Sequence, residues 1–268
     1  MTDLANVTES QLQRWDLQRD GEPIQGAAAI VLPVRTSDGT RAVLKIGPAD
    51  AESDNEHLLL RRWGGDGAVR LLSADPPHRA LLLERVHPEN LDTLPDVEAC
   101  EVVAGLYRRL HVPALPQLRT LTSYLEQWII DFEALPRNAA MPHRLVEQAV
   151  ALSRDLAADP ASTGRLVHAN LHYGNVLAAD RAPWLAIAPR PVNGDPHYEV
   201  APMLWNRWDE LSGEIRDGVQ RRFYALVDAA ELDEDRARAW VLIRVVREAI
   251  RDPAQLTKYV ALAKAVQN

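Results

Sequence analysis

Apolar residues in the first third of the chain fall in short runs with the spacing of β-strands. Turn signals separate these runs, among them Asp38-Gly39 and Pro76-Pro77. One helical pattern, at about residues 51–63, interrupts them and ends at Gly64-Gly65. The pattern predicts a small antiparallel sheet with one inserted helix, and its predicted strands cover residues 15–18, 27–34, 41–46, 69–74 and 80–85.

Beyond residue 95 the apolar positions recur at helical spacing instead. Residues 88–95 have the composition of a linker. We therefore predict an α+β fold of two lobes, a β-rich N-lobe at residues 1–87 and a larger, mainly helical C-lobe at residues 88–268. A small-molecule ligand is expected in the cleft between the lobes. The predicted helices cover residues 96–110, 121–135, 142–156, 200–208, 214–230, 234–250 and 253–266.

A predicted hairpin interrupts the helical half. Its two apolar runs flank a turn at Asp180-Arg181, so that the polar loop 168–175 comes close to the residues that follow the hairpin. This loop has the spacing of a phosphoryl-transfer catalytic loop, which carries an acid that serves as the base and, five residues later, an Asn or Asp that holds a metal. The hairpin then supplies a metal-binding Asp. The corresponding residues here are Asn170, Asn175 and Ala188.

Composition narrows the class of protein. The chain has 268 residues, 47% of them hydrophobic, which is enough for two modest lobes. Its formal net charge of −8 argues against a nucleic acid or an anionic membrane as partner, and an acidic surface suits a cationic small molecule as well as an ordinary soluble protein. The single cysteine, Cys100, excludes an internal disulfide and a cysteine metal cluster. With no signal core and no apolar stretch of transmembrane length, the sequence indicates a cytoplasmic protein.

Lys45 ends an apolar predicted strand. A lysine that points from a strand into a cleft holds nucleotide phosphates, and a helix carboxylate orients it. Glu56 is the first choice for that carboxylate and Glu52 the second. The alternative is that Lys45 lies on an edge strand and is solvated there.

Polar residues around the hairpin offer further chemistry. His168 and His172 lie four residues apart, which allows a zinc site, but their position in a loop favours a hydrogen-bonding role for His168. Asp195 follows in a Gly-Asp-Pro turn, where it either caps the next helix or takes part in catalysis.

These motifs resemble the aminoglycoside phosphotransferase superfamily, and within it the streptomycin 6-phosphotransferase and hydroxyurea phosphotransferase branch. The resemblance extends from about Trp15 to the last helices. It implies a protein-kinase-like fold with an ATP site between the lobes. Lys45 would bind phosphate and pair with Glu56, and the backbone around Glu84 would read adenine. The resemblance is carried by residues 42–48, 61–65, 67–72, 80–85, the central hairpin, Asn193-Gly194-Asp195-Pro196 and Trp205-Asn206-Arg207.

The sequence departs from the family pattern at its two acids. The family loop reads His-Gly-Asp-Leu-His, with Asn three residues after the second His, whereas this chain has Ala169 and Asn170 in place of the Gly and the Asp. The family's second motif reads Ile-Asp-Pro-Lys-Pro, and here Ala188 replaces the Asp and Arg190 the Lys. Asn175 still matches, as a vestigial metal ligand. Loss of both acids is expected to cost several orders of magnitude in rate.

We therefore expect a pseudokinase, with at most a vestigial nucleotide site at Lys45, Glu56 and Glu84. It would be a small-molecule-binding protein, or an ATP-independent enzyme, of antibiotic resistance or secondary metabolism. The alternative is an ATP- and Mg-dependent phosphotransferase that acts on a hydroxyl of an antibiotic-like small molecule, with Asp195 or Glu199 as the acid. No cofactor is expected otherwise. Candidate acid–base or anion-binding residues are His168, Asn170, His172, Tyr173, Arg190 and Asp195.

Overall fold

The computed structural model describes residues 2–25, 29–47 and 55–267. Contacts between residues divide the chain into two units. The first unit comprises Met1–Glu89 and Leu177–Pro191, and the second comprises Asn90–Val176 and Val192–Asn268. The chain therefore leaves the first unit, returns to it once, and leaves it again.

The strands in the described residues are β1 (Gln18–Arg19), β2 (Ile24–Gln25), β3 (Ile30–Arg35), β4 (Arg41–Ile46), β5 (Leu71–Asp75), β6 (Ala80–Glu84), β7 (Arg165–Val167), β8 (Val176–Ala178), β9 (Trp184–Ala186) and β10 (Val192–Gly194). The helices longer than one turn are α1 (Thr2–Arg14), α2 (Glu56–Trp63), α3 (Asp96–Leu110), α4 (Leu121–Glu133), α5 (His143–Ala158), α6 (Ala201–Trp205), α7 (Ile215–Ala230), α8 (Glu234–Arg251) and α9 (Leu256–Gln267).

The first unit is built on an antiparallel sheet of six strands. Five of them lie in the order β1-β3-β4-β6-β5, and β2 also pairs with β3. In this register Lys45 lies opposite Val31 on one side and Leu81 on the other. Strand β4 is therefore interior to the sheet, so the alternative that Lys45 is an edge-strand residue is wrong.

One face of this sheet forms the core of the first unit. Alternate residues of β4, namely Ala42, Leu44 and Ile46, are fully buried and pack in a cluster with Leu12 of α1 and with Leu17. Because neighbouring side chains of a strand point to opposite faces, Val43 and Lys45 lie on the other face. Helix α1 was not anticipated from its polar sequence, and the strand predicted at 15–18 begins only at residue 18.

Helix α2 matches the inserted helix of the prediction at its C-terminal end. Gly64 adopts a left-handed φ of 59° and its N–H bonds back to the Leu60 carbonyl, which terminates the helix. The predicted start of this helix, at residue 51, and the residue Glu52 lie outside the described residues.

The β8–β9 hairpin is attached to the first unit by main-chain hydrogen bonds. Ala186 N donates to Gly67 O at 2.9 Å and Val69 N donates to Ala186 O at 3.0 Å. On the other strand, Ala178 N donates to Glu89 O at 2.9 Å. The sequence predicts residues 168–191 as part of the C-lobe, whereas the structure groups residues 177–191 with the first unit.

The second unit is mainly helical, with one two-stranded sheet in which β7 pairs with β10. The long helices α3, α7 and α8 lie within two residues of their predicted bounds. The predicted helix 200–208 is shorter, because α6 ends at Trp205, where Asn206 takes an extended conformation with a ψ of 158°. Cys100 is buried in α3, and burial raises the pKa of its thiol to about 12, in keeping with a structural residue. No helix in the described part of the chain is long and apolar enough to cross a membrane.

Candidate functional site

A buried ion pair marks the inner face of the first unit's sheet. Lys45 Nζ donates to the two oxygens of Glu56 at 2.8 and 2.6 Å. The Glu56 carboxylate, at the start of α2, is only 4% exposed. Burial raises the pKa of Glu56 and the positive charge and hydrogen bonds of Lys45 oppose that rise, with the net pKa above its ordinary value. An ammonium group has three donors, so the third N–H of Lys45 is left to meet an anionic ligand.

Lys45 and Glu56 line a cavity of about 350 Å³ that lies entirely within the first unit. Its walls are mostly aliphatic, which suits the faces of a flat, uncharged ring system. Ala188, which follows the β8–β9 hairpin, also lines it, as do the side chains of Arg85 and His87. Aliphatic lining residues come from the sheet and the hairpin alike: Ile24, Val31, Pro33, Val43, Val69, Leu83, Val86, Leu177 and Ile187.

A second ion pair holds the hairpin against the sheet. Arg181, in the hairpin turn, donates to the two oxygens of Glu84 at 2.7 and 2.8 Å and to the carbonyls of Gly65 and Ala68, both at 2.8 Å. The Glu84 carboxylate also accepts the Arg70 N–H at 2.7 Å. Both oxygens of the Glu84 carboxylate are therefore already hydrogen-bonded. We assign Glu84 a structural role, in which it holds the hairpin against the sheet.

Loop 168–175 lies in the second unit, where hydrogen bonds to one buried carboxylate hold its first residues. Glu199 accepts the backbone N–H of His168 in a short hydrogen bond and that of Ala169 at 3.1 Å. The loop reinforces itself, because His168 Nδ1 accepts the N–H of Asn170 at 3.3 Å. Arg244 Nη2 then donates to the Ala169 carbonyl at 3.1 Å. The loop is thus held on both its donor and its acceptor side.

Glu199 is fully buried, yet it is charged. His111 Nε2 lies 3.6 Å from its carboxylate. Burial raises the pKa of Glu199, but the neighbouring His111, the charge of His168 and the Ala169 amide outweigh it, so that the pKa lies below its ordinary value. The sequence alone does not predict that Glu199 holds this loop. The feature that could have pointed to such a role is that Glu199 is a lone acid within the otherwise buried stretch 198–201.

The remainder of the loop is closed by side-chain hydrogen bonds. Asn175 Nδ2 donates to the Asn170 carbonyl at 2.8 Å and lies 3.0 Å from His172 Nε2. His172 Nδ1 accepts the Gly174 N–H at 3.2 Å. Both histidines thus use Nδ1 within the loop. Among the described residues, no group of three His, Cys, Asp or Glu is arranged to hold a metal ion.

Asp195 lies at the end of β10 and is surrounded by donors. Its carboxylate, 1% exposed, accepts from Arg236 Nε at 2.5 Å and from Trp240 Nε1 at 2.7 Å, and it lies 2.6 Å from His197 Nδ1. Burial raises the pKa of Asp195, whereas the His197 and Trp240 contacts lower it, with a net pKa below its ordinary value. A carboxylate with this many donors is a poor proton acceptor, so the geometry favours the structural role over catalysis.

The remaining two candidate residues, Tyr173 and Arg190, differ in their surroundings. Tyr173 is buried, its hydroxyl donates to Asp96 at 3.2 Å, and burial raises its pKa far above neutrality. It therefore stays protonated at physiological pH. Arg190 is exposed and belongs to the first unit, whereas His168, Asn170, His172, Asn175 and Asp195 belong to the second.

Two alanines adopt a backbone conformation that alanine disfavours. Ala169 has a φ of 61° and Ala188 a φ of 54°. A left-handed residue with a Cβ costs roughly 1–2 kcal/mol, whereas Gly, Asp and Asn visit this region more readily. At both positions the backbone conformation therefore suits Gly, Asp or Asn better than the alanine that occupies it.

The fold places the protein in the class of kinase-like α+β proteins. An aminoglycoside phosphotransferase APH(3'')-Id from Streptomyces rimosus, solved in complex with ADP and streptomycin, superposes with a TM-score of 0.59. The match covers 91% of this chain and 98% of that chain at 20% identity, and it establishes the shared fold.

Sequence comparison defines the family. The model of the aminoglycoside/hydroxyurea antibiotic resistance kinases matches residues 14–254. The chain is 40% identical to a streptomycin 6-kinase of Streptomyces griseus, over 94% of this chain and 87% of that protein. It is 42% identical to a hydroxyurea phosphotransferase of Kitasatospora aureofaciens, over 89% of this chain and 70% of that protein. The chain therefore belongs to the aminoglycoside/hydroxyurea antibiotic resistance kinase family, and the predicted family and fold class are confirmed.

The Lys45–Glu56 pair predicts a pH-dependent loss of stability. Lys45→Met should reduce the free energy of unfolding by about 3 kcal/mol at neutral pH, because a buried carboxylate loses its counter-charge. Loss of Lys45 raises the pKa of Glu56 further, so the penalty should shrink as the pH falls through that pKa and Glu56 takes up a proton.

Urea unfolding of the wild type and the variant at about pH 8 and about pH 5 measures this difference. The double variant Lys45→Met/Glu56→Gln is the control, since its neutral amide needs no counter-charge and should restore part of the loss. An equal penalty at both pH values would contradict this account.

Glu199 also predicts a pH-dependent loss of stability, in a more acidic range. Because its folded-state pKa lies below the ordinary value, its stabilisation is present above that ordinary value and is lost as the pH falls through the folded-state pKa. Glu199→Gln should therefore destabilise the protein by about 2 kcal/mol near pH 7 and by much less near pH 3. Chemical unfolding across this range tests it, with the exposed substitution Glu126→Gln as a matched control expected to cost under about 0.5 kcal/mol.

Proposed function

We propose that this chain is a catalytically degenerate member of its family, which binds a small molecule but transfers phosphoryl groups poorly or not at all. The observation that carries the proposal is the methyl group of Ala188 on the wall of the cavity that Lys45 lines. A metal-binding acid is expected at that position from the family pattern. Asn170, at the position of the family's base, has an amide without useful basicity.

The donor set does not fit a bound magnesium ion. Magnesium is held in proteins by carboxylate and phosphate oxygens. Ala188 supplies none. Among the described residues that line the cavity, the carboxylates are Glu56 and Glu84, which are bonded to Lys45 and to Arg181. Asn175 offers a single neutral amide.

The rate penalty follows from two losses. A general base contributes about 10²–10⁴-fold, and a metal supplies several kcal/mol of transition-state stabilisation. Since each ~1.4 kcal/mol is tenfold in rate, the two together amount to several orders of magnitude. Such a protein would act in resistance or secondary metabolism by sequestering its ligand. The alternative role is that of an ATP-independent enzyme, in which His168, His172 or Arg190 moves protons or binds an anion.

The second candidate is an ATP-dependent phosphotransferase that acts on a hydroxyl of an antibiotic-like molecule. Membership of the family and the intact Lys45–Glu56 pair favour it. This candidate requires a replacement acid. Asp195 and Glu199 are the acids considered for it, and each is already surrounded by donors that lower its pKa. That environment weighs against the second candidate.

Phosphoryl transfer to streptomycin and to hydroxyurea, the substrates in the relatives' names, tests the proposal. The wild type should release ADP from Mg-ATP no faster with either compound than without it. The double variant Asn170→Asp/Ala188→Asp restores both acids and should gain transfer by at least about a hundredfold, the lower end of a general base's contribution. Thermal melting checks that both proteins are folded. Substrate-dependent, magnesium-dependent turnover by the wild type would overturn the proposal and establish the phosphotransferase.

A further inference from the structure

Strand β5 is an edge of the first unit's sheet. In the strand order β1-β3-β4-β6-β5 it pairs with β6 on one side only. Alternate residues of such an edge strand direct their N–H and C=O groups away from the neighbouring strand. Among the described residues, no main-chain hydrogen bond reaches this outer edge of β5. The edge is therefore available for hydrogen bonds to an added strand.

A second cavity, of about 300 Å³, lies along this edge. Residues 71–74 of β5 line it on one side. On the other side it is lined by Leu60 and Arg61, in the last turn of α2, and by Gly64, which ends that helix. Leu60 is fully buried, whereas Leu72 is 44% exposed. The cavity thus places an apolar surface next to an open strand edge.

Two arginines make this cavity electropositive. Arg61 and Arg70 both line it, and none of its described lining residues is acidic. Among the described residues, neither guanidinium has a carboxylate partner, whereas the nearby Arg181 is bonded to Glu84. The chain as a whole has a formal net charge of −8, so this surface differs from the rest in sign. Because a guanidinium matches the geometry of a carboxylate, the cavity favours an acidic partner.

The helix dipole accounts for part of this charge but not for all of it. Arg61 and Arg62 lie in the last turn of α2, where a positive charge interacts favourably with the terminal carbonyls. Arg62 does not line the cavity. Arg70 precedes β5 and belongs to no helix, yet it lines the same cavity as Arg61. The shared position of these two side chains therefore calls for a further explanation.

The edge itself limits the length of a partner segment. The pairing of β5 with β6 is irregular between Leu71 and Ser73. Irregularities of this kind, together with charged side chains, shorten the stretch of an edge that can pair with another strand. An added strand would therefore be short, and it would depend on side-chain contacts as well as on main-chain hydrogen bonds.

We propose that the β5 edge and its adjoining cavity form a docking site for a short, extended, acidic segment of a partner protein. Main-chain hydrogen bonds to β5 would hold the segment as an added strand. Its carboxylates would meet Arg61 and Arg70, and an apolar side chain would lie against Leu72. This inference goes beyond the proposed function and does not depend on whether the chain transfers phosphoryl groups.

A fluorescent hexapeptide of alternating glutamate and valine, titrated with the full chain at about 0.15 M salt, tests the proposal. It should bind with a dissociation constant of roughly 1 mM or tighter, as expected for one short added strand. A peptide with lysine in place of glutamate should bind at least about fivefold more weakly, because it meets the arginines with like charge.

A third peptide tests the main-chain contacts. It keeps the glutamate and valine side chains but carries an N-methyl group on every amide, so that it cannot donate hydrogen bonds to a strand edge. Its binding should also be weaker by at least about fivefold. Equal binding of the glutamate peptide and of either control peptide would overturn the proposal, as would no binding of the glutamate peptide at roughly 1 mM.

A pair of substitutions locates the site. Arg61→Glu reverses a charge that lines the cavity, so it should weaken binding of the glutamate peptide by about tenfold and strengthen binding of the lysine peptide. Arg62→Glu is the matched control, because it makes the same change at the next residue of α2, outside the cavity lining. It should alter binding by less than about twofold. Equal effects of the two substitutions would overturn the location.

A second copy of this chain is the alternative occupant of the edge. Light scattering of the full chain should show a monomer across the concentrations used for the titrations. A concentration-dependent dimer that Arg61→Glu abolishes would assign the edge to self-association and overturn the proposed partner. Thermal melting confirms that both variants fold. If Arg61→Glu does not fold, the three peptides still decide the proposal on the wild type.

Discussion

A buried carboxylate must be surrounded by donors, and this requirement shapes both units of the protein. In the first unit the buried Glu56 is bonded to Lys45, and the half-buried Glu84 to Arg181, so the sheet, helix α2 and the β8–β9 hairpin enclose one cavity. In the second unit Glu199 holds the two amides that begin loop 168–175. Because removing either partner strands a charge in a poorly solvated place, these contacts tolerate little change.

Two buried acids of the second unit hold geometry. Glu199 and Asp195 are buried and ionised, and each is matched by cationic or N–H donors. Hydrogen bonds to a loop's backbone, such as those of Glu199, do not depend on the side chains that the loop presents. A family match therefore reports the scaffold more directly than the reaction.

At Ala188, too, the surrounding structure sets the backbone conformation rather than the side chain. The turn after β9 is kept in a conformation that aspartate adopts readily and alanine does not, at a cost of roughly 1–2 kcal/mol. Two residues earlier, Ala186 donates its N–H to the Gly67 carbonyl and accepts the N–H of Val69, which anchors the end of β9.

The amino-acid sequence by itself determined the family, the α+β class and most of the helices, because motif spacing and apolar periodicity are local properties. It also indicated that Glu56 is the partner of Lys45, from spacing alone. Tertiary structure decided the rest. That β4 is interior, that the chain's hairpin joins the first unit, and that Glu84 is bonded to Arg181 all depend on strand order and on contacts between residues far apart in sequence. Which acids are already saturated with donors is likewise a property of the packed molecule, since only burial and neighbouring charges set it.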